Sequence, residues 1–276
     1  MPLDSRAGFP THWTRFQSDA SQPALAIHCT LAHAGSWKAL AAELADQVAM
    51  TGYDLPGHGR SGDWGGQGDI QAVSMGMAVD LLENEIGGAA VIFGHSFGAT
   101  VALRLAIERP DLVRALILVE PVFFAVAYAD DPAIKPRHAE GLRPYTDALA
   151  AGDMEQAARH FTSTWGDGRG WDRLPEAARA DMAKRIHLVN AASPMLNDDS
   201  AGMLKPGVLD RVTAAVLLLE GGESPEYVDV INRGLAARLP DASRGVVGGA
   251  GHMLPITHPV QTAALIRPFL ERVAAG

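Results

Sequence analysis

One pentapeptide constrains this chain more than any other stretch: Gly94-His95-Ser96-Phe97-Gly98. It follows Ala89-Ala90-Val91-Ile92-Phe93, an apolar run of strand type, and precedes Ala99-Thr100-Val101-Ala102-Leu103-Arg104-Leu105-Ala106-Ile107, which reads as a helix. A Gly-x-Ser-x-Gly turn between a strand and a helix has the setting of a nucleophile elbow. A serine hydroxyl is a poor nucleophile unless it is held clear of other groups beside a base. Gly94 and Gly98 have no Cβ, so the strand and the helix can pass close to the turn. The helix N-terminus at Ser96 aims unpaired N–H groups at any negative charge that develops there.

The flanking pattern repeats this strand-helix unit. Trp13 to Ser18 reads as an antiparallel edge strand, and Ala24 to His28, Val48 to Tyr53 and Val113 to Val119 as further strands. Between them fall a helix from Trp37 to Leu44 capped by Ser36, and one from Ile70 to Ile86 capped by Asp69 and closed by Gly87-Gly88. The elbow helix runs to Glu108, with Pro110 as a stop. Such alternation implies an α/β fold with a mostly parallel sheet covered by helices. The rhythm breaks at Pro121, and only helical stretches follow, near Leu142–Ala151, Met154–Thr164 and Pro175–Asn190. It resumes with a strand from Ala214 to Glu220, a helix from Pro225 to Leu239, a strand from Ser243 to Val247 and a helix from Val260 to Arg272. The expected organisation is a core of residues 1–120 and 209–276 with a helical cap, 121–208, inserted into it.

A serine nucleophile needs a base, and His252 is the candidate. It lies in Gly248-Gly249-Ala250-Gly251-His252-Met253, directly after a predicted strand. Ligand sites in open α/β sheets form at that carboxyl edge, so Ser96 and His252 are expected as neighbours there. A carboxylate must then fix the imidazole tautomer. Glu120 ends an all-apolar strand, where a charge is costly without a partner, and is favoured. Glu223, in Glu220-Gly221-Gly222-Glu223-Ser224-Pro225, competes for the role. Oxyanion donors are expected from the backbone N–H of Phe97 and from the His28–Gly35 loop, at Thr30 or next at Leu31. Of the other histidines, His95 should point away from the hydroxyl, His58 should be tied into its own loop, His33 could line an entrance and His258 precedes a proline in a turn. His12, His138, His160 and His187 read as solvated or packed within the cap.

In this combination the chain resembles the α/β-hydrolase superfamily, in its lid-bearing esterase and C–C hydrolase branch. The elbow, the loop Asp54-Leu55-Pro56-Gly57-His58-Gly59-Arg60-Ser61, and Gly251-His252 occur in that family's order. The resemblance implies an eight-stranded, mostly parallel sheet with a helical cap over the active site. Two positions depart from the family: His28-Cys29 stands in place of His-Gly, and Ser224 stands where an aspartate usually follows the seventh strand. Some haloalkane dehalogenases carry the acid after strand six, as Glu120 would, but they use an aspartate nucleophile, and Ser96 argues against that reaction.

The implied activity is a serine hydrolase acting on a small-molecule carboxylic ester through Ser96, His252 and Glu120. A diketone C–C bond, a lactone or a thioester stays open as the substrate, and a ligand receptor with slow turnover is the rival. Cap aromatics such as Phe124 and Trp165 suggest an apolar acyl or aryl group. No metal-ligand spacing, P-loop or dinucleotide fingerprint occurs, so no metal and no cofactor are expected. The formal net charge of −9 argues against nucleic acid and anionic membranes as partners. With Cys29 the lone cysteine, there is no disulfide framework. The first ten residues lack the apolar core of a secretory signal and no run is long enough to span a membrane, so a cytoplasmic monomer or homodimer is expected.

Overall fold

The computed structural model describes residues 4–275. Seven strands form the main sheet: β3 (Trp13–Arg15), β4 (Pro23–Ile27), β5 (Ala49–Tyr53), β6 (Ala90–His95), β7 (Val113–Val119), β8 (Ala215–Gly221) and β9 (Ala242–Val247), in the order β3-β5-β4-β6-β7-β8-β9. All neighbours are parallel except β3, which runs antiparallel to β5. The central strands are apolar at nearly every position because both faces are covered. One face packs on Leu25, Ile92 and Leu116, the other on Phe93, Ile117 and Ile266.

Among the described residues the sheet has seven strands and not the eight that the resemblance implied. The chain before β3 forms instead a separate hairpin, β1 (Asp4–Arg6) with β2 (Phe9–Thr11), turning through Ala7 and Gly8, both at positive φ. At the junction after Thr11, the His12 N–H goes to Ser61 Oγ and its carbonyl takes Asp54 N–H at 2.8 Å. The paired stretch of β3 with β5 runs from Trp13 to Arg15.

Between the strands lie α1 (Lys38–Glu43), α2 (Ile70–Leu81), extended by a π-helical turn, and α3 (Phe97–Glu108). Asp69 caps α2 through the N–H groups of Gln71 and Ala72, and Gly87 ends it with φ 87°. Between β7 and β8 the segment is helical: α4 (Phe124–Asp130), α5 (Ile134–Ala150), α6 (Met154–Trp165), α7 (Glu176–Arg185) and α8 (His187–Asn197). Arg185 ties this insertion to the sheet domain by donating to the Gly57 and Gly59 carbonyls at 2.9 and 3.3 Å. After β8 come α9 (Glu226–Ala236), α10 (Leu254–Thr257) and α11 (Pro259–Ala275). No helix among the described residues is long and apolar enough to cross a membrane.

Candidate active site

Parallel register brings the carboxyl ends of four strands together. His95 pairs with Val119, so Ser96 and Glu120 are the residues immediately past adjacent strand ends. The Ser96 N–H donates to the Val119 carbonyl at 2.9 Å, and the Glu120 N–H to Leu219 at 2.8 Å. Both residues hold positive φ, 56° and 50°, as does Leu31 in the loop after β4, at 64°. Non-glycine residues adopt that region only under constraint, and three of the five described cases converge on this one rim.

Two glycines allow the convergence. A Cβ on Gly98 would collide with the carbonyl oxygens of Ile27 and His28, so the loop after β4 lies directly on the first turn of α3. A Cβ on Gly221 would collide with Ala250, so the turn after β9 lies against the end of β8. That turn carries His252 over Glu120. His252 Nδ1 lies 2.9 Å from Glu120 Oε2, across 132 residues of sequence. The other carboxyl oxygen of Glu120 accepts from Gly221 N–H at 2.6 Å and Ser224 Oγ at 2.7 Å. Glu120 is wholly buried, and these three donors are what makes a carboxylate tolerable there. A carboxylate can only accept, so Nδ1 carries the proton and Nε2 keeps its lone pair.

Glu223 is exposed; its backbone N–H binds Ala250, and its side chain makes no bond with His252 among the described residues. Ser224 is a member of the site that the sequence reading passed over as a mere substitution. Its hydroxyl binds Glu120, which only the β7-β8 pairing brings within reach.

No hydrogen bond joins Ser96 to His252 among the described residues; the hydrogen bonds of the His252 ring and carbonyl go to Glu120 and His95. His95, next to Ser96, packs its ring 5.0 Å from that of His252 and lies 2.9 Å from the His252 carbonyl through Nε2. Ser96 opens into a cavity of about 380 Å³ with Thr30, Phe124 and Trp165, whereas His252 borders a smaller pocket of about 250 Å³ lined also by residues 166–168. Trp165 stands edge-on to His252 at 4.6 Å and walls the Ser96 cavity. The Phe97 and Thr30 N–H groups have no hydrogen-bond partner among the described residues, and Thr30 lines the cavity beside Ser96. A second cavity of about 430 Å³ shares Thr30, Phe161 and Trp165 with the first.

The remaining histidines near the rim are structural. His28 Nε2 accepts from Leu55 N–H and its Nδ1 lies 2.7 Å from the Cys29 carbonyl; burial lowers its pKa to about 4. His58 packs against it at 5.2 Å, and burial lowers that pKa to about 3. Burial also holds His95 well below the usual histidine range. Burial alone would raise the Asp54 carboxyl, but the N–H groups of Ala34 and Arg60 hold it low, fastening the loop after β4 to the loop after β5. His138 is not simply packed within the helical insertion: it lines the Ser96 cavity. Among the described residues, no group of three or more His, Cys, Asp or Glu side chains is placed to hold a metal ion.

This topology and rim have a sequence counterpart, since the profile of the alpha/beta hydrolase family matches residues 24–265. The chain belongs to the alpha/beta hydrolase family. It is 31% identical to lipase LipV of Mycobacterium tuberculosis, over 94% of this chain and 97% of that one. It is 26% identical to the pimeloyl-[acyl-carrier protein] methyl ester esterase of Cronobacter sakazakii, over 95% of this chain and 98% of that one. Among solved structures, one from a study of carboxylesterases of the thaumarchaeon Nitrososphaera gargenis superposes with a TM-score of 0.73 at 19% identity, covering 99% of both chains. That likeness is one of fold. As an alpha/beta hydrolase, the chain has lipases and esterases among its relatives by sequence.

Proposed function

We propose that this alpha/beta hydrolase is a serine hydrolase of small-molecule carboxylic esters, with Ser96 as nucleophile, His252 as base and Glu120 as the acid that orients it. The observation that carries the reading is the buried Glu120–His252 pair, placed one strand from a serine held at positive φ. Glu120 fixes the proton on Nδ1, leaving Nε2 to take the Ser96 proton once the two atoms come within about 2.6–3.2 Å. The serine oxygen then attacks the ester carbonyl, and the charge on the resulting oxyanion is met by the N–H groups of Phe97 and Thr30. The imidazolium returns its proton to the leaving alcohol, and His252 next activates the water that releases the acid. The helical segment 121–208 acts as a cap that supplies the walls of the acyl cavity. Relatives named as a lipase and as a methyl ester esterase support the choice of ester over other acyl compounds.

A fluorophosphonate probe, with p-nitrophenyl esters run beside a lactone and a vinylogous diketone, tests this reading. Rapid labelling that vanishes in Ser96→Ala, with ester turnover the fastest, is the expected result. Turnover of the diketone or the lactone alone would overturn the ester assignment, and absence of labelling in folded protein would overturn the enzyme assignment.

A further inference from the structure

The turn that carries His252, Gly248-Gly249-Ala250-Gly251-His252-Met253, has three glycines in six residues, and Gly249 stands at φ 74°. Glycine opens more backbone conformations than any other residue, so holding such a turn in one shape needs ties from outside it. At its start the Ala250 carbonyl takes Glu223 N–H at 2.9 Å, and at its end the Met253 carbonyl takes the N–H groups of Ile256 and Thr257 at 2.9 and 3.0 Å. Between these points the backbone groups of Gly251 and His252 bond to no other backbone group among the described residues. The Glu120 bond holds the His252 ring at one atom, Nδ1. A ring held at one atom can still pivot about that bond.

The second tie comes from His95. Its Nε2 lies 2.9 Å from the His252 carbonyl oxygen. A carbonyl can only accept, so Nε2 carries the proton of this bond. Burial holds the His95 ring well below the usual histidine range, so at pH 7 it is neutral and that proton is the one it has. The ring is buried, edge-on to Trp37 at 6.3 Å and 5.0 Å from the ring of His252. His95 ends β6 and is followed at once by Ser96. The backbone that fixes the serine therefore also carries the donor that fixes the histidine turn. His95 lines neither the Ser96 cavity nor the pockets beside it, so the binding of a small molecule there is left to other residues.

We propose that His95 is a positioning residue: by donating from Nε2 to the His252 carbonyl, it ties the histidine turn to the nucleophile elbow and keeps the His252 ring on Glu120. What the ring does as a base rests on the serine hydrolase reading; the placement of the ring does not. His252 is buried, so without this donor its carbonyl is left unpaired whenever the ring is in place. The glycine-rich turn relieves that cost by rotating the carbonyl toward water, which takes the ring off the carboxylate.

The test compares His95→Phe, which keeps a flat ring in the packing but has no donor, with His95→Gln, whose amide NH2 stands in for Nε2–H. On a p-nitrophenyl ester, His95→Phe should lose about tenfold in kcat, the range in which one orphaned buried carbonyl falls, with KM within about twofold. His95→Gln should recover most of that loss. Ring 15N spectra of histidine-labelled protein at mildly alkaline pH, with the His252 signals assigned by their absence in His252→Gln, read the placement without turnover. The parent and His95→Gln should show the His252 proton held on Nδ1, and His95→Phe should show the two tautomers averaging as the ring leaves Glu120.

A His95→Phe kcat within about threefold of the parent, a loss carried by KM, or no recovery in His95→Gln would overturn the proposal. So would an unchanged His252 tautomer in His95→Phe. If His95→Phe does not fold, His95→Met takes its place as the variant without a donor; failure of both to fold beside a folded His95→Gln would show a bond that holds the fold and not the base, and would overturn it too. If Ser96 takes no fluorophosphonate and no ester is cleaved, the hydrolase reading fails, and the ring spectra alone decide whether His95 places His252.

Discussion

Replacing Glu120 by glutamine changes one atom of the side chain, and the surroundings dictate the outcome. The carboxylate receives three donors: Gly221 N–H and Ser224 Oγ on one oxygen, His252 Nδ1 on the other. Glutamine offers one acceptor oxygen and one NH2. The Gly221 N–H belongs to a strand end and cannot rotate away, so the amide oxygen stays with it and the NH2 faces His252. Nδ1 must then accept, its proton moves to Nε2, and the nitrogen proposed to receive the Ser96 proton is blocked. Restoring the active tautomer sets N–H against NH2; flipping the amide instead leaves Gly221 N–H unpaired. With the two opposed donors orphaned at about 1–3 kcal/mol each, the barrier rises by about 2–6 kcal/mol, or roughly 30- to 20,000-fold in kcat. In the preferred orientation every backbone donor keeps a partner, so the melting temperature should move by less than about 4 °C. Ester hydrolysis and fluorophosphonate labelling read the rate, and calorimetry reads the fold. A Glu120→Gln protein within tenfold of the parent, beside an inactive Glu223→Gln, would refute the reasoning.

Gly98→Ala should abolish labelling of Ser96 and cost about 1–3 kcal/mol in urea unfolding, since the new methyl meets the Ile27 and His28 carbonyls; full labelling would show that the loop after β4 need not lie on α3. Phe161→Ala should open the partition between the two cavities and shift preference toward longer acyl chains by up to about fourfold in kcat/KM for each added methylene, the worth of about 0.8 kcal/mol of burial; an unchanged chain-length profile would exclude Phe161 as the partition. Stability should fall with acid, because His28, His58 and His95 are held neutral by burial, the first two with pKa values lowered to about 4 and about 3. Unfolded, each titrates near 6.5, so below that pH the unfolded chain binds protons that the folded chain refuses. The stability present above about pH 6.5 is lost as pH drops toward 4, at up to about 1.4 kcal/mol per pH unit for each histidine. Urea midpoints equal at pH 7 and pH 5 would contradict this.

What could be read from the chain is what its chemistry writes locally. The elbow needs its glycines at fixed offsets from Ser96, and buried parallel strands need unbroken apolar runs, so both leave contiguous marks. The hairpin of β1 and β2 left a mark too, a two-residue turn at Ala7-Gly8 in the left-handed region, but its flanks are half polar and did not read as strands. The insertion is less legible because amphipathic spacing reports that a face is covered and not by what. Helix α5 begins at Ile134 and carries Pro144 within it, where the spacing suggested a start near Leu142; the 175–190 stretch divides at Ile186 into two helices. Least legible are the partners of the buried polar groups. Ser224 meets Glu120 across 104 residues and His138 meets Tyr128 across ten, yet neither pairing has a spacing rule. The first follows from strand register, the second from how α4 packs on α5. A motif therefore locates the proposed nucleophile, while the partners of the buried polar groups around it are fixed by packing. That is why Glu120→Gln is the informative substitution here: it alters one acceptor whose only instruction is the three-dimensional neighbourhood it occupies.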